Sequence, residues 1–221
     1  MFDHTVSILI PTFNRRNFSP LVVHNINCQT YDGIKEIIVA DDGEEPLDMS
    51  GCKYPVRYFK MNRCNLGSKR NFLKNCVKGG YCCFMDTDDF YNPDHIKNAL
   101  WNMASTGKRL AGSSDMLIYS QLKGCFIQRC LFLDMLNEAT LVFHHTYPGV
   151  FECKMSSEGV SFIAPYLGDV AELKIEDVMV CVAHDKNSVP KNRWLDDNYK
   201  TSFSILDPYR QHLEILSKCN I

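Results

Sequence analysis

Residues 81–89 read YCCFMDTDD. Five mostly apolar residues run straight into three acids, Asp86, Asp88 and Asp89, spaced within four positions. The apolar run has the length of a buried strand, and a strand ending in charge delivers that charge to the edge of a sheet. Carboxylates this close repel one another and raise each other's proton affinity. Something positive is expected beside them: a metal ion, a basic cluster or water.

Working outward, the first hundred residues alternate as βαβ units do, which predicts a largely parallel sheet. TVSILI (5–10) is a β-branched run ended by Pro11, and residues 18–30 carry helical apolar spacing. KEIIVA (35–40) is a second strand ended by DDG, VRYFK (56–60) a third, and YCCFM (81–85) a fourth. NLGSKRNFLKNCVKG predicts a helix opening near Gly67 and closing at Gly79. Asn92 and Pro93 read as the cap and first turn of another helix. Further on, RLAGSSDMLIYS, CFIQRCLFL, ATLVFHH and VMVCVAH (178–184) read as strands of a mixed sheet. SSEGVSFIAPYL reads as a short helix capped by Ser156 or Ser157. The polar segment 185–200, with Arg193 and Trp194, reads as a loop, and DPYRQHLEILSK (207–218) as a last helix capped by Asp207. No repeat or linker interrupts the chain, so one domain is expected.

The 221 residues are 45% hydrophobic and 23% charged, with a formal net charge of −2 and no long basic block. That balance argues against nucleic acid or an anionic membrane as the main partner. The start, MFDHTVSILIPT, lacks the basic and apolar regions of a signal peptide, and no apolar run approaches the roughly 20 residues that span a bilayer. Eleven cysteines are scattered without a C-x-x-C pair, which favours free thiols over a disulfide framework or structural zinc. A soluble protein of a reducing, cytoplasmic compartment is expected.

Ligands of open α/β sheets bind beyond the carboxyl ends of the parallel strands. Those ends here carry Pro11, Thr12, Asn14 and Arg15; Asp42; the helix opening at Gly67, Lys69 and Arg70; and Asp86, Thr87 and Asp88. Carboxylates only accept hydrogen bonds, which suits the ring N–H and ribose hydroxyls of a nucleoside. Lys69 and Arg70 suit a sugar or its phosphates. A diphosphate facing Asp86–Asp89 needs a hard divalent cation between, and Mg²⁺ or Mn²⁺ fits.

VSILIPTFNR, EIIVADDG, NLGSKRN and FMDTDD, in that order over about residues 5–96, resemble the nucleotide-sugar half of the family 2 glycosyltransferases with the GT-A fold. The compact length is similar to glycosyltransferase domains of large algal DNA viruses. The resemblance implies an α/β GT-A architecture: a Rossmann-like nucleotide-binding half with a mixed, mainly parallel sheet flanked by helices. Residues 1–105 would bind the donor and 106–221 the acceptor. It implies a D-x-D metal element at Asp86, Thr87 and Asp88, completed by His184 with Asn187 and Ser188 nearby. The uridine pocket maps onto Pro11, Thr12, Asn14, Arg15, Asp42 and Arg70. Glu158 is similar to the family's catalytic acid, although Gly159 stands where many relatives carry a second acid. The implied activity is inverting, metal-dependent transfer from a nucleoside-diphosphate sugar, most simply a UDP-sugar such as UDP-glucose or UDP-rhamnose, to a glycan or other hydroxyl acceptor. Such a chain can be part of a longer multidomain protein.

Each residue also has a plainer reading. D-x-D acids are commonly solvated, DDG is a good turn by itself, and His184 ends a strand where imidazoles often simply pack. Three other functions share parts of the pattern. A D-x-D phosphatase continues to Thr or Val where Phe90 stands, and a sugar nucleotidyltransferase needs a Gly-rich loop where PTFNRR stands. A nucleotide-sugar-binding domain without a base would fit Gly159. Among acids for the base, Asp169 follows a turn glycine and Asp177 precedes a strand, so Glu158 at a helix start is the expected choice.

Overall fold

The structure, a computed structural model, describes residues 4–120, 124–129, 136–187, 191 and 207–219. Four parallel strands form its centre: β1 (Val6–Thr12), β2 (Ile34–Asp41), β3 (Val56–Lys60) and β4 (Tyr81–Phe84). β1 lies between β2 and β4, and β3 flanks β2. A strand covered on both faces reads as a continuous apolar run. Accordingly Ile8 and Ile10 enter one hydrophobic cluster while Leu9, pointing the other way, enters a second.

Helices cover this sheet. α1 (Ser19–Asn27) begins with Pro20 in its first turn. α2 (Leu66–Cys76) is capped by Asn65, whose side chain accepts the Ser68 N–H at 2.8 Å. α3 (His95–Thr106) stops at Gly107, which turns left-handed at φ 68°. Asn92 is not the cap residue expected. Its Oδ1 instead accepts the Asp94 N–H at 2.9 Å, one turn ahead of the helix, because Asp94 already occupies the cap position.

The second half adds β5 (Phe90–Tyr91), β6 (Leu110–Gly112), β7 (Asp115–Ser120), β8 (Gly124–Arg129), β9 (Val142–His144), α4 (Val160–Ile163), β10 (Val170–Glu172), β11 (Met179–Val182) and α5 (Asp207–Leu216). Among the described residues the strands form two sheets, one of seven strands ordered β10-β6-β9-β4-β1-β2-β3 and one of four ordered β5-β11-β7-β8. β9 runs antiparallel to both β4 and β6, so the large sheet is mixed but mainly parallel, and the α/β expectation holds.

Three elements differ from their sequence reading. RLAGSSDMLIYS breaks at Ser113, which exchanges its strand bonds for Thr140 Oγ1 (2.9 Å) and the Asn137 N–H (2.8 Å), and its halves join different sheets. ATLVFHH starts as a 3-10 turn (Glu138–Thr140) before β9. The helix expected from Ser156 forms only at Val160, with Gly159 as an N-cap that makes no side-chain bond, because Ser157 turns left-handed at φ 54°. The last helix forms as α5 and packs on α1 through the rings of His24 and His212, 4.7 Å apart. Ser188, Arg193, Trp194, the CLFL stretch and the capping side chain of Asp207 lie outside the described residues. Among those described, no helix is long and apolar enough to cross a membrane.

Candidate functional site

Because β1 pairs with both β2 and β4, the carboxyl ends of three strands come side by side, with Thr12 in register with Asp41. They border a cleft of about 480 Å³. Pro11, Thr12, Asn14, Arg15, Lys69, Asp86, Thr87 and Asp88 line it, as do six residues the sequence did not single out: Phe13, Arg63, Cys64, Leu66, Met155 and Lys186. Asp42, Arg70 and His184 stand one contact back, bonded to Lys69, Asp86 and Asp88 respectively. Thr12 Oγ1, buried in the cleft wall, has no hydrogen-bond partner among the described residues. Phe13 and Leu66 sit inside quoted motifs, Lys186 in the polar segment after β11, and Arg63 in an aperiodic link that carries no signal.

At one end of the cleft lies Asp42. Lys69 Nζ donates to its Oδ1 and, at 2.7 Å, to the Thr12 carbonyl, so a helix-borne ammonium ties two strand ends together. Asp42 Oδ2 accepts from Arg63 Nη1 (2.9 Å) and the Cys64 N–H (3.0 Å). Burial pushes the Asp42 carboxyl up, but these donors outweigh it and hold it below the usual range. The Arg63 guanidinium packs 3.6 Å over the ring of Phe13, which is 39% exposed. Asn14 acts as a clamp: it sits at φ 50°, and its Oδ1 accepts the N–H groups of Glu44 (2.6 Å) and Glu45 (3.2 Å). Gly43 makes room for it, since a Cβ there would lie 2.3 Å from the Asn14 nitrogen.

The other end holds the acids, and each has its own cation. Asp86 accepts from Arg70 Nη2 at 3.2 Å, and its N–H donates to Tyr91 Oη at 2.7 Å. Asp88 Oδ2 meets His184 Nε2 at 3.0 Å, Arg15 Nη2 at 3.4 Å and Asn187 Nδ2 at 3.4 Å. Asp89 turns inward, accepting the Val182 N–H (2.9 Å) and Lys191 Nζ (3.1 Å), and so braces β11 against this loop. Burial drives Asp88 up, yet the His184 bond, Lys191 and Arg15 bring it well below the usual carboxylate range. Asp89 ends raised by burial, with Asp88 and Asp86 adding to it against Lys191.

Among the described residues no group of three or more His, Cys, Asp and Glu side chains gathers as a metal site. The Asp88–His184 pair nevertheless fits as two ligands. Carboxylate and imidazole suit a divalent ion, and here the two are hydrogen-bonded to each other, Asp88 Oδ2 to His184 Nε2 at 3.0 Å. His184 Nδ1 accepts the Lys186 N–H at 3.1 Å, and Asn187 Nδ2 lies 2.9 Å from Nε2. Ligation through Nε2 would place the ring proton on Nδ1 and break the Lys186 bond.

Glu158 is 2% exposed and lies two residues before α4 rather than in its first turn. Arg70 mounts it instead, donating from Nε to its Oε1 at 2.9 Å. Arg70 is itself 2% exposed, packs over the Phe84 ring at 4.8 Å, and leaves Nη1 without a partner among the described residues. It is a strut joining Asp86 to Glu158. Gly67 makes this junction possible, since a Cβ there would lie 1.7 Å from the Glu152 carbonyl oxygen. Of the other acids weighed, Asp169 is bound by Arg109, through the backbone N–H at 2.8 Å and Nε at 2.6 Å.

The model of the family described as glycosyl transferase family 2 matches residues 7–123. The chain is 27% identical over 103 residues to glycosyltransferase GlyA of Streptococcus pneumoniae, covering 44% of this chain and 15% of that one. It spans well under two thirds of the length of the curated relatives it matches. Among solved structures, S. aureus TarS 1–349 in complex with UDP-GlcNAc superposes with a TM-score of 0.63 at 15% identity, over 83% of this chain and 60% of that one. The mannosyltransferase PcManGT of Pyrobaculum calidifontis, in complex with GDP-Man and Mn²⁺, does so with a TM-score of 0.63 at 13% identity, over 97% and 72%.

Proposed function

The chain belongs to glycosyl transferase family 2 and has the GT-A fold, and on that premise we propose that it moves a sugar from a nucleoside-diphosphate donor, UDP favoured, to a carbohydrate hydroxyl with inversion. One observation carries the reading: a single cleft at the strand ends runs from the Asp42–Lys69–Arg63 cluster to the Asp88–His184 pair. Asp42, behind the cleft wall, holds Lys69 and Arg63 at the end proposed for the base, Phe13 offers a flat face there, and Thr12 Oγ1 has a hydrogen bond to give.

Asp88 and His184, with Asp86 beside them, are the residues that would hold Mn²⁺ or Mg²⁺. Such an ion supplies positive charge between the carboxylates and the donor's diphosphate. Arg15 and Lys186 line the same end, and Arg15 adds a cation for the diphosphate. Glu158 takes the proton from the acceptor hydroxyl as its oxygen bonds to the anomeric carbon. The bond from that carbon to the diphosphate breaks on the opposite face, and the nucleoside diphosphate leaves with the electron pair. In this reading residues 1–105 and 106–221 form one unit, in a cytoplasmic, reducing setting suited to its free thiols.

The test incubates the purified chain with Mn²⁺ and a panel of UDP-glucose, UDP-rhamnose, UDP-GlcNAc and GDP-mannose, following nucleotide release with water and mixed oligosaccharides as acceptors. Faster release from a UDP-sugar, abolished by EDTA, is expected. Glu158→Gln should keep UDP affinity and lose transfer by about 100-fold. The competing reading, a nucleotide-sugar binder without transfer, draws on the burial of Glu158 against Arg70. UDP binding with no release from any donor would establish it.

A further inference from the structure

Building on the reading of Glu158 as the base, we propose that Glu138 is its positioning residue, a second carboxylate from a different element that fixes the chain at Gly159 and offsets the charge Arg70 sets against Glu158. Glu138 opens the 3-10 turn Glu138–Thr140, whose start is held by Asn137 accepting the Ala139 N–H at 3.1 Å. Its own Oε1 accepts the Gly159 N–H at 3.1 Å. A Cβ on residue 159 would lie 2.6 Å from Glu138 Cγ and 2.9 Å from Oε1. Gly159 sits at φ −81°, which any residue adopts. The glycine is thus needed for room, and the room is filled by a carboxylate arriving from elsewhere in the chain.

One residue back, Glu158 gives Oε1 to Arg70. Asp86, Glu158 and Glu138 all act on that one guanidinium, so three carboxyl groups face a single cation. A cation beside a carboxylate favours its charged form, and a second carboxylate in the same enclosure works the other way. The groups facing Glu138 act in keeping with this: burial raises its proton affinity, Glu158 raises it further, and Arg70 opposes. Glu138 is not among the residues lining the donor cleft, so donor binding should not depend on it.

Glu138→Gln separates the two contributions, because its amide oxygen still accepts the Gly159 N–H while the charge is gone. With the best donor of the panel above, kcat should fall about 10-fold, the lower end of what outer-sphere partners contribute. The donor KM should stay unchanged, and the acid limb of the kcat profile should move to lower pH, since one of the carboxylates set against Arg70 is then gone. Gly159→Ala, which pushes the carboxylate aside without removing it, should reproduce the loss in kcat at unchanged KM. An unchanged kcat and acid limb in Glu138→Gln, with Glu158→Gln inactive, overturns this proposal and leaves the base reading standing. Full transfer by Glu158→Gln, or no turnover by the unaltered chain, removes both.

Discussion

Asp42 and Asp88 are both buried acids beyond the ends of the two strands that flank β1, yet they are assembled from different distances along the chain. Asp42 draws on Lys69, Arg63 and Cys64, all within 27 positions of it. Asp88 draws on Arg15, then on His184 and Asn187, which are 96 and 99 positions away. The first cluster is made entirely of residues from the parallel βαβ half. The second exists only once β11 has packed beside β5 and brought the segment after it over the cleft. The end proposed for the nucleoside is therefore built into the first half, whereas the end proposed for the diphosphate depends on the whole chain.

Substitutions can set the two ends against each other. The largest effect is expected for Asp88→Asn, which should lower Mn²⁺-supported nucleotide release by about 1,000-fold, or about 4 kcal/mol of barrier, an effect that outweighs the stability lost with its Arg15 and His184 contacts. Release that stays normal in excess EDTA would remove the metal from the account. Asp42→Asn should do the reverse. It leaves Lys69 buried without its counter-charge, a loss of about 3 kcal/mol of stability, and it should narrow the preference for UDP over ADP and GDP measured by calorimetry. If chemical denaturation shows no loss, Lys69 and Arg63 hold the loops without it.

A third substitution tests the junction between the halves. Gly67→Ala drives a methyl into the Glu152 carbonyl, so about 2 kcal/mol of stability should go, and transfer should fall more than UDP binding because the 152–158 segment carries Glu158. Equal losses in both would mean that α2 shifts as a whole.

The smallest effect concerns α5, far from either acid. His212 is fully buried and packs against Phe90, Tyr209 and His24. Burial first, then His24, pushes its folded pKa down to about 4, against about 6.5 in the unfolded chain. The unfolded state thus binds the proton that the folded state refuses. Stability is complete above about pH 6.5, falls as the pH drops toward 4, and levels off below. His212→Phe should raise stability by about 1 kcal/mol at pH 6 and leave it unchanged at pH 8. Identical melting shifts at both pH values would tie the effect to packing alone.

The same contrast governs what could be read in advance. The parallel strands were legible because burial on both faces forces long β-branched runs, and their ends because turn and charged residues interrupt those runs. The resemblance put His184 and Asn187 near the D-x-D acids, whereas the reach of Arg15 to Asp88 was not anticipated. The helix start at Ser156 was misjudged, because one left-handed residue at Ser157 moved it to Val160. Periodicity has no way to register such a turn.

By itself, then, the sequence determined the strands of the donor half, their largely parallel run and the placing of acids at its rim, and its motifs carried the resemblance to the family. The strands and their charged ends follow from local pattern: hydrophobic period, turn chemistry and spacing. Only the tertiary structure decided how the charges are matched: that Asp89 faces inward to Lys191, that Arg70 is a strut between Asp86 and Glu158, and that Glu138 fills the space beside Gly159. Those pairings join residues up to 102 positions apart. Coulomb attraction and burial act through space, and a chain's local pattern carries no record of which distant charge will be folded against it.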